Sequence, residues 1–372
     1  MSKIFVLLTG KRGLRDPKTG GEFYFKQVLD FLQTQGVSIK VISVEEDLPR
    51  VCNRKYILAN IIFVWKLLIK GKPKAIILED FYMHPWLFLF NWIAYLNGHC
   101  RLAVFVQLFY HRQQSNIFLN AVDKMVASIF LRPVHLVFAN SHSTAQECRR
   151  LGVPKERIVV VYPGCDFAGE QIGQKPTAYS NNIIRLLTIA NYDPRKGLHY
   201  LVEAMSLIQQ WEPGLFKSLE LRISGNSKDN PLYTQKLVNR LESAGLRRNI
   251  HLLGWCTREQ LKSLLVQADI FVLPSLDEGF GMVLAEAMYY GLPIVAFRAG
   301  AMLELIEDGV NGLLVEPKDV KGLAKAIIHL AKEVDIRVAL GRNGRERSPR
   351  FVHSWNEVGN IFYKKISALA KQ

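Results

Sequence analysis

The sequence predicts an α/β protein built from two doubly wound domains, each a parallel sheet covered by helices. Three observations carry this expectation. Short apolar runs alternate with longer segments of helical period along the whole chain, a pattern that builds parallel sheets flanked by helices. Near the middle, residues 168–182 (AGEQIGQKPTAYSNN) lose that periodicity and gain Gly, Gln, Pro, Ser and Asn, which reads as a linker. The 372 residues, 49% hydrophobic and 22% charged, suit two folded domains of ordinary size.

The elements follow in order. The opening run Ile4-Phe5-Val6-Leu7-Leu8 is too short for a signal peptide and lacks a small-residue cleavage site, so residues 4–9 read as a buried first strand ending at Gly10. Further strands are expected at 38–44, 74–78, 102–108, 135–139 and 158–161, with helices at 21–35, 54–70, 84–97, 116–131 and 143–151. After the linker, strands are expected at 183–190, 219–224, 250–253, 270–274, 293–297 and 312–315, with helices filling each gap. Residues 355–370 form an amphipathic helix beyond the last strand. The expected organisation is a first domain over 1–167, a linker over 168–182, a second domain over 183–350, and a C-terminal helical segment over 351–372 packing back toward the first domain.

Composition narrows the function. The chain carries 48 Lys and Arg against 33 Asp and Glu, a net charge of +15. Residues 1–180 hold 23 basic and 13 acidic side chains, a net of +10, which leaves +5 for the rest. Such a basic half suits a nucleic acid, an anionic membrane surface or a phosphorylated substrate. No Arg-rich helix, zinc finger or aromatic RNA-binding signature accompanies it, so nucleic acid is not the expected partner. The five cysteines form no C-x-x-C pair, which argues against a disulfide framework or zinc site and for a reducing, cytoplasmic setting. Residues 81–100 lack Asp, Glu, Lys and Arg, but His84, Pro85, Asn91, Asn97 and His99 would be costly in hydrocarbon. A buried helix is the plainer reading there, and a membrane-contacting helix is the alternative.

Ligands of doubly wound sheets bind beyond the carboxyl ends of the strands, so the loops after the strands hold the candidates. After the first strand, Gly20-Gly21 opens a helix; this lets a phosphate approach unpaired N–H groups, although a Gly-Gly turn is common. After the first strand of the second domain comes Asn191-Tyr192-Asp193-Pro194-Arg195-Lys196-Gly197. Its adjacent Arg195 and Lys196 form either a diphosphate clamp or a solvated basic turn. The strongest signal is PSLDEGFGMVLAEAMYYGLP over 274–293. It places Glu278 at a strand mouth and Glu286 eight residues on, in an otherwise apolar helix. A carboxylate there is expensive to bury without partners, and sugar hydroxyls can supply them.

The Arg-Lys-Gly turn followed by Pro-Ser-x-x-Glu-Gly-Phe-Gly-x-x-x-x-Glu-Ala-x-x-x-Gly-x-Pro resembles the retaining nucleotide-sugar glycosyltransferases of family 4. Gly225-Asn226, Leu253-Gly254, Gly300 with Glu304, and Asp308-Gly309-Val310-Asn311-Gly312 also fit, as do Gly20-Gly21, Ala139-Asn140-Ser141 and Pro163-Gly164-Cys165-Asp166 in the first half. The resemblance implies the GT-B fold: two facing Rossmann-like domains, the first on the acceptor side, the second on the donor side, with the site in the cleft between them. The family's usual Gly-Gly before Glu304 is Gly300-Ala301 here, which leaves close backbone approach at that point open.

The resemblance further implies that Arg195 and Lys196 hold the diphosphate, that Glu286 grips the ribose hydroxyls and that Glu278 lies beside the donor sugar. Gly225, Asn226, Leu253, Gly254 and the run Gly279, Phe280, Gly281, Met282 and Val283 complete the donor pocket, with Gly20 and Gly21. Transfer on one sugar face, with the leaving phosphate helping to deprotonate the acceptor, needs no side-chain nucleophile. The family often carries a cleft histidine where His111 follows the fourth strand, though a lone histidine is more often structural. His84 and Arg112 are weaker candidates on the same side. No Asp-x-Asp triplet occurs, so no metal is expected, and no cofactor beyond the nucleoside diphosphate sugar as co-substrate. The expected activity is transfer of a hexosyl group to a hydroxyl acceptor, which could be a glycan, a lipid-linked sugar, a polysaccharide end or a small molecule, with peripheral contact at the inner membrane surface. The alternatives are a sugar-nucleotide epimerase of the same fold and a non-catalytic nucleotide-sugar-binding protein.

Overall fold

A computed structural model describes residues 3–8, 17, 19–43, 75–79, 101–107, 117–170 and 183–371. The chain forms two compact units, one of Met1–Asp166 with His353–Gln372 and one of Phe167–Val352. In chain order the first part of unit 1 contributes β1 (Lys3–Leu8), α1 (Gly20–Thr34), β2 (Ser38–Ser43), β3 (Ala75–Glu79), β4 (Arg101–Val106), α2 (Ile117–Leu131), β5 (Leu136–Ala139), α3 (His142–Arg150) and β6 (Ile158–Val160). Unit 2 contributes β7 (Ile184–Ile189), α4 (Leu198–Trp211), α5 (Pro213–Phe216), β8 (Leu219–Ser224), α6 (Pro231–Ser243), β9 (Ile250–Gly254), α7 (Arg258–Gln267), β10 (Ile270–Leu273), α8 (Met282–Tyr289), β11 (Ile294–Phe297), α9 (Met302–Leu305), β12 (Gly312–Val315), α10 (Val320–Lys332) and α11 (Val334–Arg347). The last helix, α12 (Trp355–Leu369), returns to unit 1.

Each unit is a six-stranded parallel sheet, ordered β2-β1-β3-β4-β5-β6 in unit 1 and β12-β11-β10-β7-β8-β9 in unit 2. Every strand expected from the sequence occurs, with ends moved by a residue or two. The helices expected at 54–70 and 84–97, the uncharged stretch 81–100 and most of the linker lie outside the described residues. Among the described residues, no helix is long and apolar enough to cross a membrane, and no group of three His, Cys, Asp or Glu could hold a metal ion. Cys148 and Cys165 are buried, and Cys256 is partly exposed.

Helix α12 joins unit 1 because its apolar face matches an incomplete core. Val358, Phe362, Ile366 and Leu369 are buried with Tyr24, Phe25, Val28 and Leu32 of α1. Phe362 stacks on Phe138 at 4.2 Å and meets Phe105 edge-on at 5.6 Å, geometries that aromatic pairs favour. The segment Pro163-Gly164-Cys165-Asp166 has a structural task at this junction. Cys165 donates its N–H to the His353 carbonyl at 2.8 Å, and the Trp355 indole N–H donates to Asp166 Oδ1 at 2.5 Å. The chain thus leaves unit 1 and re-enters it at one pinned point.

The strand orders locate the ligand crevices. In unit 2 the chain winds from β7 outward through β8 and β9, then crosses to β10 and winds the other way. The order therefore reverses between β7 and β10, and a crevice opens at the carboxyl ends of that pair. The two strands are also tied by side chain, as Thr188 Oγ1 donates to the Val272 carbonyl at 2.7 Å.

Candidate functional site

The loop after β7 and the loop after β10 are built to fit each other. Asp193 Oδ1 accepts the Arg195 N–H at 2.8 Å, which winds Pro194–Lys196 into a single tight turn. Gly197 ends that turn with φ 67°, and a Cβ there would lie 2.0 Å from the Pro274 carbonyl oxygen. Only glycine satisfies both conditions. The close approach lets Leu276 donate its N–H to the Arg195 carbonyl at 2.8 Å, while Arg195 Nη1 donates to the Asp277 carbonyl at 2.6 Å.

This clasp brings the predicted charges together. Lys196 Nζ lies 2.5 Å from Glu278 Oε1, Arg195 Nη1 lies 3.8 Å from Oε2, and the Ser275 hydroxyl donates to Oε1 at 2.8 Å. Glu278 is buried, 7% exposed. Burial alone pushes its carboxyl up, but the charges of Lys196 and Arg195 with the hydrogen bonds from Lys196 and Ser275 outweigh it, so the pKa falls below the usual carboxylate range. Burial also draws Lys196 below the ordinary lysine value, against the pull of Glu278. The pair is thus a carboxylate held firmly ionised against a tightly confined ammonium.

A third loop supports Glu278 from behind. Ala301 donates its N–H to the Glu278 carbonyl at 2.9 Å, and a Cβ on Gly300 would come within 2.5 Å of that same oxygen. The close backbone approach left open by Gly300-Ala301 is therefore made at Gly300, and Ala301 accommodates its methyl. Beyond Glu278, Gly279 and Phe280 are buried, and α8 begins at Gly281 with φ 88° and no side-chain cap. The helix thus opens its positive end at the crevice, with Met282 and Val283 half-buried on its first turn.

Glu286 lies in the same helix with 2% exposure, among buried Leu284, Ala285, Ala287 and Met288. Its Oε1 accepts from Arg258 Nη1 at 3.1 Å. Arg258 was not singled out in the sequence, and neither was Phe167, over whose ring the guanidinium sits at 5.3 Å. Along the same edge the ends of β7, β8 and β9 are laced together. Gly225 donates its N–H to the Gly254 carbonyl at 2.8 Å, and Asn226 donates its N–H to Asn191 Oδ1 at 3.1 Å, while Leu253 stays 40% exposed. Arg195, Lys196, Gly225, Asn226, Leu253, Gly254, residues 278–283 and Glu286 therefore line the carboxyl ends of four adjacent strands, β10-β7-β8-β9.

Gly20 and Gly21 belong to unit 1. There Thr19 and Glu22 close a capping box around the start of α1. The missing side chain of Gly21 makes room for Gln107 at the end of β4. A Cβ would fall 2.0 Å from Gln107 Oε1, and Gln107 Nε2 donates to the Gly21 carbonyl at 3.1 Å. His84, His111 and Arg112 lie outside the described residues.

Comparison with known proteins gives the same picture. Residues 173–347 match the model of the glycosyl transferases group 1, and residues 19–168 match that of glycosyltransferase family 4. A D-inositol 3-phosphate glycosyltransferase of Corynebacterium urealyticum is 29% identical over 215 residues, 55% of this chain and 49% of its own. An MMP alpha-(1->4)-mannosyltransferase of Mycolicibacterium hassiacum is 35% identical over 192 residues, 50% of this chain and 44% of its own. The chain spans about half the length of the curated relatives it matches. The crystal structure of Anabaena HepE in complex with UDP shares the fold, with a TM-score of 0.72 and 19% identity over 99% of this chain and all of that one. Paired doubly wound sheets, the glutamate-bearing loop and helix after β10, and two family models that take in most of the sequence agree: the chain belongs to the family 4 glycosyltransferases of GT-B fold.

Proposed function

We propose that the protein is a retaining glycosyltransferase that moves a hexosyl group from a nucleoside diphosphate sugar to a hydroxyl acceptor without a metal ion. The observation that carries this reading is the Lys196–Glu278–Arg195 cluster at the β7/β10 crevice, beside the uncapped start of α8. Glycosyl transfer needs fixed positive charge where the diphosphate departs and negative charge where the sugar becomes cationic. Lys196, Arg195 and the first N–H groups of α8 supply the former. Glu278 supplies the latter, and as an ionised carboxylate it accepts from sugar hydroxyls rather than donating a proton.

Glu286 is assigned to the ribose hydroxyls, and the leaving phosphate to deprotonating the acceptor on the same sugar face. The D-inositol 3-phosphate glycosyltransferase and mannosyltransferase names of the relatives, and the UDP held by the Anabaena structure, support a sugar nucleotide donor and a hydroxyl acceptor. The test is incubation with UDP-, GDP- and ADP-hexoses, water serving as the hydroxyl acceptor, following nucleoside diphosphate release and the anomeric signal of the newly freed hexose by NMR before it mutarotates. The expected result is release from one donor class with the donor's anomeric configuration kept. Release with inversion, or no release from any donor, would contradict it.

The net charge of +10 in residues 1–180 and the uncharged stretch 81–100 support peripheral contact with an anionic membrane on its cytoplasmic face, and a lipid-linked or polysaccharide acceptor. Basic groups near such a surface contribute about 1 kcal/mol each and are screened by salt. In flotation, the protein is expected to rise with anionic vesicles at low salt and to be released at high salt. Absence from the anionic vesicle fraction at low salt would count against it.

A further inference from the structure

Arg258 stands where its own helix gives no reason for a cation. It is the first residue of α7, the positive end of the helix dipole, and the start of α7 is already served by a capping box between Thr257 and Gln260. Its side chain turns instead to α8, donating from Nη1 to Glu286 Oε1 at 3.1 Å. The guanidinium is held on a second side by the Phe167 ring at 5.3 Å, a cation–π contact. Phe167 is in turn fixed by an edge-on contact with Tyr290, 5.4 Å between centroids. Tyr290 closes α8, its backbone N–H bonded to the Glu286 carbonyl at 3.0 Å. Two segments distant from α8 in sequence, at Phe167 and Arg258, thus meet beside one carboxylate that is 2% exposed.

We propose that Arg258 is a positioning residue for the donor nucleotide, holding the Glu286 carboxylate in the orientation from which it accepts the ribose hydroxyls. This rests on the assignment of Glu286 to the ribose under the proposed function. Without Arg258 the buried carboxylate would lose a charged hydrogen-bond donor that fixes its rotamer, and its oxygens would no longer be held toward the ribose. The stack on Phe167 matters because a planar guanidinium pinned at its face points its donors in one direction, which an ammonium does not. Arg258 therefore acts on ribose recognition through Glu286, with no contact of its own to the reacting sugar.

The test compares dissociation constants for UDP, GDP and ADP with those for their 2′,3′-dideoxy counterparts, in the unmodified protein and in R258M, R258K, E286Q and R258M/E286Q. Loss of a hydrogen bond to a charged group corresponds to roughly tenfold or more in affinity, so the unmodified protein should prefer the ribose form of the base it binds by about that factor. The expected result is that R258M compresses the preference to within about threefold, as E286Q does. R258K should keep an intermediate preference, and the double variant should lose no more than either single one. If R258M or R258K weakened ribose and dideoxy forms equally, Arg258 would be a structural residue and the proposal overturned, with the proposed function intact. If the unmodified protein bound none of the six compounds, the proposed function would fall and this inference with it. Thermal unfolding of each variant checks that the fold is kept, and R258K, which retains the charge, carries the test if R258M does not fold.

Discussion

Replacing Lys196 by alanine is expected to lower turnover by about 10²–10³-fold, the usual loss when one preorganised donor is removed from a developing anion. Arg195→Ala should fall on the same scale, each with a smaller loss of nucleotide affinity. The Lys196 change should also destabilise the protein, because it strands Glu278 at 7% exposure with Arg195 3.8 Å away as its remaining cation. Breaking a buried pair from one side costs about 3–5 kcal/mol when no cation remains, and Arg195 puts this case at or below the lower end. Adding Glu278→Gln in the same chain should recover most of the stability and none of the turnover. The acid dependence has a definite sign. Glu278 is held below its unfolded value, so the pair's contribution is full above the ordinary glutamate pKa and disappears as pH falls through the lowered folded value. The stability gap between the unmodified protein and Lys196→Ala should therefore narrow on acidification, as urea unfolding at a series of pH values would show. A gap that widened in acid would contradict the pairing.

Glu286→Ala and Glu278→Gln should separate binding from chemistry. Glu286 is assigned to the ribose, so its loss should weaken nucleoside diphosphate binding by ~1.5–3 kcal/mol, the range for hydrogen bonds to charged groups. Glu278→Gln keeps the shape and removes the charge assigned to the reacting sugar, so it should mainly slow turnover. Calorimetric titration and steady-state kinetics on both variants give the split directly. If both bound and turned over as the unmodified protein does, the two assignments would be wrong.

Much of this was legible in the sequence because its signals are local. Continuous apolar runs such as Ile270-Phe271-Val272-Leu273, closed by Pro274, identify strands buried on both faces. The Arg195-Lys196-Gly197 turn and the Glu278–Glu286 spacing each lie within one loop and one helix. What escaped depends on distance along the chain. Nothing in β7 says that its neighbour is β10 rather than β9, since strand order is fixed by crossovers. Arg258 lies 28 residues from Glu286, and its misplacement at a helix N-terminus was the one available signal. The space beside Gly21 is filled by Gln107, a neighbour 86 residues away that the local sequence does not announce. The Pro163–Asp166 segment fits the family pattern, but nothing local to it announces the tryptophan 189 residues further on that donates to Asp166.

The proposed activity requires unit 2 to hold a nucleoside diphosphate by side-chain cations and helix N–H groups, with no bridging metal. The most direct measurement is calorimetric titration of the full chain with UDP, GDP and ADP in the presence of EDTA, repeated with Lys196→Ala. Saturable binding of at least one of the three is expected in EDTA, little changed by magnesium or manganese and weakened in the variant. Binding that appeared only when magnesium or manganese was restored, or that was unchanged by Lys196→Ala, would contradict it.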